Sequence, residues 1–443
     1  MPEDSGNAKQ NLVPDARFDS AYLNDLTTAG TQLTGHTNII DWFGLHAGET
    51  RNPRNVPGLQ IDGYFLDGES KTTRAPGNLY GNKRLPFDSQ FVIRFPTAWN
   101  GKLVITGAPG IRGQYANDFM ISDFVLKKGY AFASTDKGNS GLRFYSAGEA
   151  PGASVAEWHR RIKQLTEAAK DAAEKYYGEE PSRTYITGTS NAGYLTRFAL
   201  EKHPDLYDGG VDWAGVLWRP EGPNLLTFLP AALKYYPKYV DPDESQTDHG
   251  TACDAIIKAG FPEGSEFLWR YHYEIYWNSV QRIFREEFDP YYLSSDVDYE
   301  YSNRPQEVKN AVTRVSLTGK IGKPLITLHG TLDTLLPIKK TSDVYAGLVE
   351  KAGKANLHRY YKVVGGNHVD GLYDYAGPDP NNPDPEIRKK FREKLRPILP
   401  CYRGAFDRLV EWVEDEKSPP DSKTVPKPEG DVVNSCSDLD KQK

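Results

Sequence analysis

The sequence predicts an α/β fold: a mostly parallel, doubly wound sheet with an inserted helical, aromatic-rich cap. Three observations predict it. From residue 101 onward, short apolar runs alternate with segments of helical period, and each closes on Gly or Pro. Strand, helix, strand, helix is the order of βαβ units, whose parallel strands are covered on both faces. After Trp218 the alternation stops, and the next Gly-capped strand is KPLITLHG at 323–330.

Each element follows in order. Residues 1–35 are polar and read as a loosely ordered arm. Residues 36–100 read as an antiparallel start. LQIDGYFLDG partly alternates and ends at Gly68; SQFVIRFP sets Phe91, Ile93 and Phe95 against Val92 and Arg94, then stops at Pro96. GKLVITGAPG (101–110) is a buried-strand run into a Gly/Pro loop. NDFMISDFVLKKG (117–129) is helical in spacing, and YAFASTDKGN (130–139) is the next strand. Residues 155–178 form the clearest helix, rich in Ala, Glu and Lys and closed by Gly178. SRTYITGTSNAG (182–193) is a strand entering a Gly-flanked turn, and the helix YLTRFALEK runs to Pro204. DGGVDWAGVLW (208–218) is a further strand. Residues 219–315 read as a cap inserted between 36–218 and 316–416, the two parts of the core. The helix TSDVYAGLVEKAG, the strand HRYYKVVGGNH (358–368) and a last helix from about Cys401 to Glu416 complete that core. The Pro-, Asp- and Lys-rich tail 417–443 reads as disordered.

Composition narrows the function. Hydrophobic residues make up 38% and charged residues 26% of the 443, with a net charge of −6. No basic stripe appears, so a nucleic-acid partner is not expected. No apolar run approaches the roughly 20 residues of a membrane span, so no membrane partner is expected either. The opening MPEDSGNAKQ carries no leader pattern, which fits either a cytoplasmic protein or a mature exported form. Cys253, Cys401 and Cys436 lack CxxC spacing, and neither a metal nor a cofactor is expected. One disulfide with one free thiol, or three free thiols, both fit. The 27 Tyr, 18 Phe and 8 Trp concentrate between Trp213 and Tyr301, and read as core packing or as a ring-lined pocket.

The chemistry centres on Gly188-Thr189-Ser190-Asn191-Ala192-Gly193, placed between a strand and a helix. A serine there sits on a sharp turn, above the sheet and at a helix N-terminus, which is the nucleophile elbow of the α/β-hydrolase fold. A hydroxyl needs a base to take its proton. His368, in the loop GGNH after YYKVV, is the candidate; His329, His159, His249 and His272 fit less well, and His329 reads as packed at a strand end. Asp333, in HGTLDTLLP, is the carboxylate that would orient the imidazole. The chain order Ser, Asp, His is that of this fold. Asp136 stands in the wrong order, and it and Lys137 read as stabilising their loop. An oxyanion needs two backbone N–H donors. Asn191 supplies one. Pro109 has none to give, so Ala108 is the first choice for the other and Gly110 the second. Arg112 reads as solvated. Gly110, Trp213, Trp218, Trp269 and Trp277 are the candidate substrate-pocket residues.

The elbow GTSNAG, the phrase GYAFASTDKGN, the segment HGTLDTLLP and the GGNH loop together resemble the tannase/feruloyl esterase group of α/β-hydrolases. The elbow is also similar to that of 3-hydroxybutyrate oligomer hydrolases. The resemblance covers about residues 90–215 and 320–412, and its matching functional positions are Ser190, Asp333 and His368. It implies a serine esterase that forms an acyl-enzyme on aromatic or phenolic esters or hydroxyalkanoate-type oligomers, without a cofactor, and it points to a mature exported protein. It also implies a disulfide between cysteines beside the serine and the histidine, where this chain has Thr189 and Asn367, and a calcium site in the cap. Asp296, Asp298 and Glu300 alternate there but read as a solvated cluster. Two other readings share the fold: a prolyl-type serine peptidase, for which GAPG is suggestive, and a non-catalytic binding protein.

Overall fold

The computed structural model describes residues 12–37, 39–67, 89–142, 145, 150–436 and 439. Among them ten strands form one sheet. These are β1 (Ala16–Leu23), β2 (Gly58–Phe65), β3 (Gln90–Pro96), β4 (Lys102–Gly107), β5 (Ala131–Thr135), β6 (Arg183–Thr189), β7 (Gly209–Trp213), β8 (Leu325–Gly330), β9 (His358–Val363) and β10 (Lys423–Val425). Their spatial order is β1-β2-β3-β5-β4-β6-β7-β8-β9-β10. The pairs β1–β2, β2–β3 and β3–β5 are antiparallel, and every later pair is parallel. The sheet is therefore mixed at one edge and parallel where the candidate site lies.

Helices cover both faces. Helix Ala153–Tyr177 turns Val155, Trp158, Ile162, Leu165, Ala169 and Ala172 to the core at steps of three and four. Gly178, at φ 84°, takes the left-handed turn that ends it. Helices Asn191–Lys202 and Ser342–Lys351 lie on the same side, while Asp123–Lys127 and Leu399–Glu414 pack on the other. Between β7 and β8 come helices Leu225–Val240, Gln246–Ala259, Glu266–His272, Asn278–Phe288 and Gln306–Thr313, with a π-helical turn at Tyr273–Trp277. Their apolar side chains share one core with Trp158 and Tyr194.

Two expectations are corrected. Within the predicted arm, Ala16–Leu23 is an eight-residue edge strand and Thr28–Thr34 a helix. The strand alternates half-buried and exposed side chains, so its composition looks polar although its backbone is paired throughout with β2. Within the predicted disordered tail, Lys423–Val425 pairs with β9, and Cys436 is joined to Cys401 in a disulfide. The buried Arg396 donates to the Val425 carbonyl at 3.2 Å. A covalent tether, a short ladder and a buried cation give this polar segment what its composition lacks. The first eleven residues of the arm, Gly68 and most of the tail beyond Cys436 lie outside the described residues.

Candidate active site

β6 ends at Thr189, and the helix begins at Asn191. Ser190 between them has φ 61° and ψ −118°, a strained backbone for a residue with a side chain. The turn closes only around small neighbours. A Cβ on Gly188 would stand 2.3 Å from the Ala192 Cβ, and one on Gly193 would stand 2.5 Å from Asp212 Oδ1. Ala192 is thus tolerated where many elbows carry glycine, because Gly188 makes room for it. The Ser190 N–H donates to the Trp213 carbonyl at 2.9 Å, which pins the turn to β7. Among the described residues no hydrogen bond joins Ser190 Oγ to another group.

The loops after β8 and β9 carry the other two residues. His368 Nδ1 lies 2.8 Å from Asp333 Oδ2. Asp333 Oδ1 accepts the N–H groups of Leu335 (2.9 Å) and Leu336 (2.7 Å). Burial alone would raise this carboxyl, but the His368 charge and the hydrogen bonds from His329 and His368 outweigh it and hold Asp333 well below the ordinary carboxylate range. The two loops are stitched together. Leu332 N–H donates to the Gly366 carbonyl at 2.8 Å, and Gly365 N–H donates to Thr331 Oγ1 at 3.0 Å. Two residues past the imidazole, Asp370 caps the last long helix by accepting from Ile398 N (2.6 Å) and Leu399 N (2.8 Å). No local sequence pattern marks Asp370, because the helix it caps starts 29 residues further along the chain.

The candidate oxyanion donors need one correction. The Ala108 N–H donates to the Thr135 carbonyl at 2.9 Å, continuing the β4–β5 ladder, so it is already used. Gly110, at φ 50°, lies next to the elbow, since its carbonyl accepts from Asn191 Nδ2 at 3.1 Å. Arg112 is not solvated. Its Nη1 donates to the Asp41 and Phe43 carbonyls at 2.6 and 3.1 Å. Asp41 in turn accepts from Gly113 N and Tyr115 N, so residues 40–43 brace this loop from outside.

The four tryptophans are also corrected. Trp213, Trp218, Trp269 and Trp277 are at most 1% exposed and sit inside the two main cores. They are packing residues, and Trp277 also ties the insertion to the acid loop through a 2.8 Å bond from Nε1 to the Thr334 carbonyl. Thr189 and Asn367 are both buried, and among the described residues their side chains have no hydrogen-bond partners. Asp136 accepts from Gln90 N and Gly138 N, closing its turn, and burial pushes the neighbouring Lys137 ammonium down to about 8. The acidic alternation is occupied by partners: Asp296 with Arg285 (3.0 Å), Asp298 with Lys234 (3.6 Å) and Glu300 with Asn303.

Residues 77–216 match the family described as tannase and feruloyl esterase, and residues 293–381 match that of the 3HB-oligomer hydrolases. Over 140 residues the chain is 26% identical to mono(2-hydroxyethyl) terephthalate hydrolase of Piscinibacter sakaiensis, which covers 28% of this chain and 23% of that one. Over 160 residues it is 24% identical to probable feruloyl esterase B-1 of Aspergillus terreus, covering 33% and 30%. The crystal structure of feruloyl esterase B from Aspergillus oryzae superposes with a TM-score of 0.55 at 14% identity, over 94% of this chain and 90% of that one. The chain is tannase- and feruloyl esterase-like, with an α/β-hydrolase fold. This esterase-like chain matches less than a third of the length of either sequence relative. No helix among its described residues is long and apolar enough to cross a membrane.

One histidine beside the site makes a pH prediction. His272, from the insertion, is 1% exposed, and among the described residues neither ring nitrogen has a hydrogen-bond partner. Burial holds it at about 3, with the Asp333 charge opposing only in part. An unfolded imidazole titrates near 6.5, so between roughly pH 6.5 and 3 the unfolded chain binds the extra proton. The stability this group contributes is present above that window and is lost as pH falls through it. His272→Leu is expected to lose less stability than the parent between about pH 7.5 and about pH 5, read from urea midpoints. An equal drop in both proteins refutes this.

Proposed function

We propose that the chain is a serine carboxylic ester hydrolase acting through an acyl-enzyme, with Ser190 as nucleophile, His368 as base and Asp333 orienting the base. The observation that carries this is the 2.8 Å bond between His368 Nδ1 and Asp333 Oδ2, on loops from the same sheet whose β6 ends at the Ser190 elbow. Ser190 Oγ attacks the ester carbonyl while His368 Nε2 takes its proton. Asp333 keeps the hydrogen on Nδ1 and stabilises the imidazolium. The N–H groups of Asn191 and Gly110 receive the oxyanion. His368 then protonates the departing alkoxide, and the same steps with water release the acid. Substrate binding brings Ser190 Oγ and His368 Nε2 into hydrogen-bond reach.

The substrates we infer are small or oligomeric esters of aromatic or phenolic acids, since the names of both sequence relatives point to such acids. Residues 219–315 act as the cap over a core made of 36–218 and 316–416. The Cys401–Cys436 disulfide favours an oxidising compartment, hence export.

The test is a substrate panel with a fluorophosphonate label as a count of competent sites. Methyl esters of hydroxycinnamic and benzoic acids, p-nitrophenyl alkanoates, hydroxyalkanoate oligomers and amino-acyl anilides are compared by kcat/KM. Aryl-acid esters are expected to lead, with labelling confined to Ser190. Leading anilides would replace the reading by a peptidase, and absent labelling with no turnover by a binding protein.

A further inference from the structure

Asp333 sits between two imidazoles. His368 Nδ1 is 2.8 Å from its Oδ2, and His329 Nε2 is 3.1 Å from the same oxygen. His329 lies on β8, and its Nε2 is also 2.9 Å from the Leu336 carbonyl. Both neighbours can only accept, so Nε2 carries the hydrogen and faces the two of them. The other ring nitrogen, Nδ1, is 2.7 Å from Ser342 Oγ. Ser342 Oγ receives an N–H from Arg197 Nη2 at 2.7 Å, which leaves its own hydrogen to donate to Nδ1. Arg197 belongs to the helix that starts directly after Ser190. All four side chains, Arg197, Ser342, His329 and Asp333, are at most 1% exposed. The donor directions therefore run one way, from the helix of the elbow to His329, whose N–H bonds the Leu336 carbonyl at 2.9 Å and lies 3.1 Å from the acid.

We propose that Arg197, Ser342 and His329 form a positioning relay that holds the Asp333 carboxylate in one orientation and tempers its basicity toward His368, an inference that rests on the triad reading above.

The physical reason is the sharing of one oxygen. A carboxylate oxygen that faces two N–H groups gives less of its negative charge to each. His329 thus keeps Asp333 from rotating and from over-stabilising the imidazolium. Without its N–H the carboxylate is looser, which slows the chemical step, and more basic, which moves the acidic limb of the rate profile upward. Among the described residues, other ionisable groups face these side chains. His272, from the insertion, feels both Asp333 and His368. Asp212, on β7, pairs with Arg197 at 2.5 Å and feels the His329 ring. His358 and Tyr360, on β9, feel Arg197, and the Tyr345 ring lies 4.3 Å from the Arg197 guanidinium carbon. None of them stands between His329 and Asp333.

The experiment measures kcat, KM and the pH profile of kcat/KM for the full chain and for His329→Leu, His329→Gln and Ser342→Ala, on whichever p-nitrophenyl ester the parent hydrolyses best. His329→Leu is expected to lower kcat by about 30-fold or more, with KM within about 3-fold and the acidic limb raised by about 0.5 pH unit or more. His329→Gln sets an amide N–H near the position of Nε2 and is expected to recover about 10-fold of that loss. Ser342→Ala removes a single hydroxyl and is expected to shift the limb the same way with a loss of about 3- to 10-fold. A purely structural His329 would leave the limb in place in every variant, with kcat tracking the folded fraction, and that result overturns the relay. If His329→Leu does not fold, an unmoved profile in Ser342→Ala overturns it alone. Ser190→Ala runs in parallel. An inactive Ser190→Ala beside an unmoved His329→Leu removes the relay only, whereas an active Ser190→Ala removes the triad and the relay together.

Discussion

Replacing Ser190 by Ala is expected to lower kcat on aryl and p-nitrophenyl esters by on the order of 10⁵, leaving at most the 10³- to 10⁴-fold advantage over water that an oxyanion site and binding retain. KM should change little, because the hydroxyl contributes to the covalent step more than to ground-state binding. Stability should change by no more than about 0.5 kcal/mol. The reason is local: Ser190 Oγ has no hydrogen-bond partner among the described residues, and the strained φ of 61° belongs to the turn rather than to the hydroxyl. Loss of activity in a variant with an unchanged urea midpoint therefore belongs to the chemistry. Activity within about tenfold of the parent would mean that another group attacks the ester, and the elbow would become only a helix start.

The second large effect is on stability. Arg94→Met is expected to destabilise the fold by about 3–5 kcal/mol. Arg94, on β3, is 1% exposed and grips Asp118 with both terminal nitrogens, at 2.6 and 2.7 Å. Its Nε donates to Gln60 Oε1 on β2 at 2.8 Å, and Nη1 also donates to Ser122 Oγ at 3.0 Å. Methionine fills much of the volume but strands the Asp118 charge, which then keeps only weaker donors such as Thr37 Oγ1. The double variant Arg94→Met/Asp118→Leu should regain a large part of the loss, since it removes the stranded charge as well. Urea titrations of the two singles and the double close the cycle. A single-variant loss under about 1 kcal/mol would mean that water reaches this pair.

The parallel half of the sheet is legible in the sequence because its strands are short apolar runs closed by nearby glycines, and its long helices repeat at three and four. The elbow is legible for the same reason: Gly188 and Gly193 are demanded by contacts within a few residues. What lies beyond reading depends on distant partners. β1 looks polar because only one of its faces is even half-buried, and its pairing partner is another segment altogether. β10 is three residues long and is held by a disulfide and by Arg396. Whether Ala108 has a free N–H is settled by the register of β4 on β5, which no local pattern encodes. The four tryptophans share one composition whether they line a pocket or fill a core, and only their burial separates the two. His329 is packed at a strand end, as its sequence place suggests, but its approach to Asp333 depends on the turn at Leu335 and Leu336, which composition does not reveal.

The bond between Cys401 and Cys436 closes a ring of chain with a sequence separation of 35, and the exposed Lys417 lies inside that ring. A single cut after Lys417 therefore divides the polypeptide without releasing either piece. On a gel, the nicked protein would migrate as one band until a thiol is added and would then shed a short C-terminal fragment. β10 would stay beside the strand that leads to His368 even after the backbone behind it had been severed.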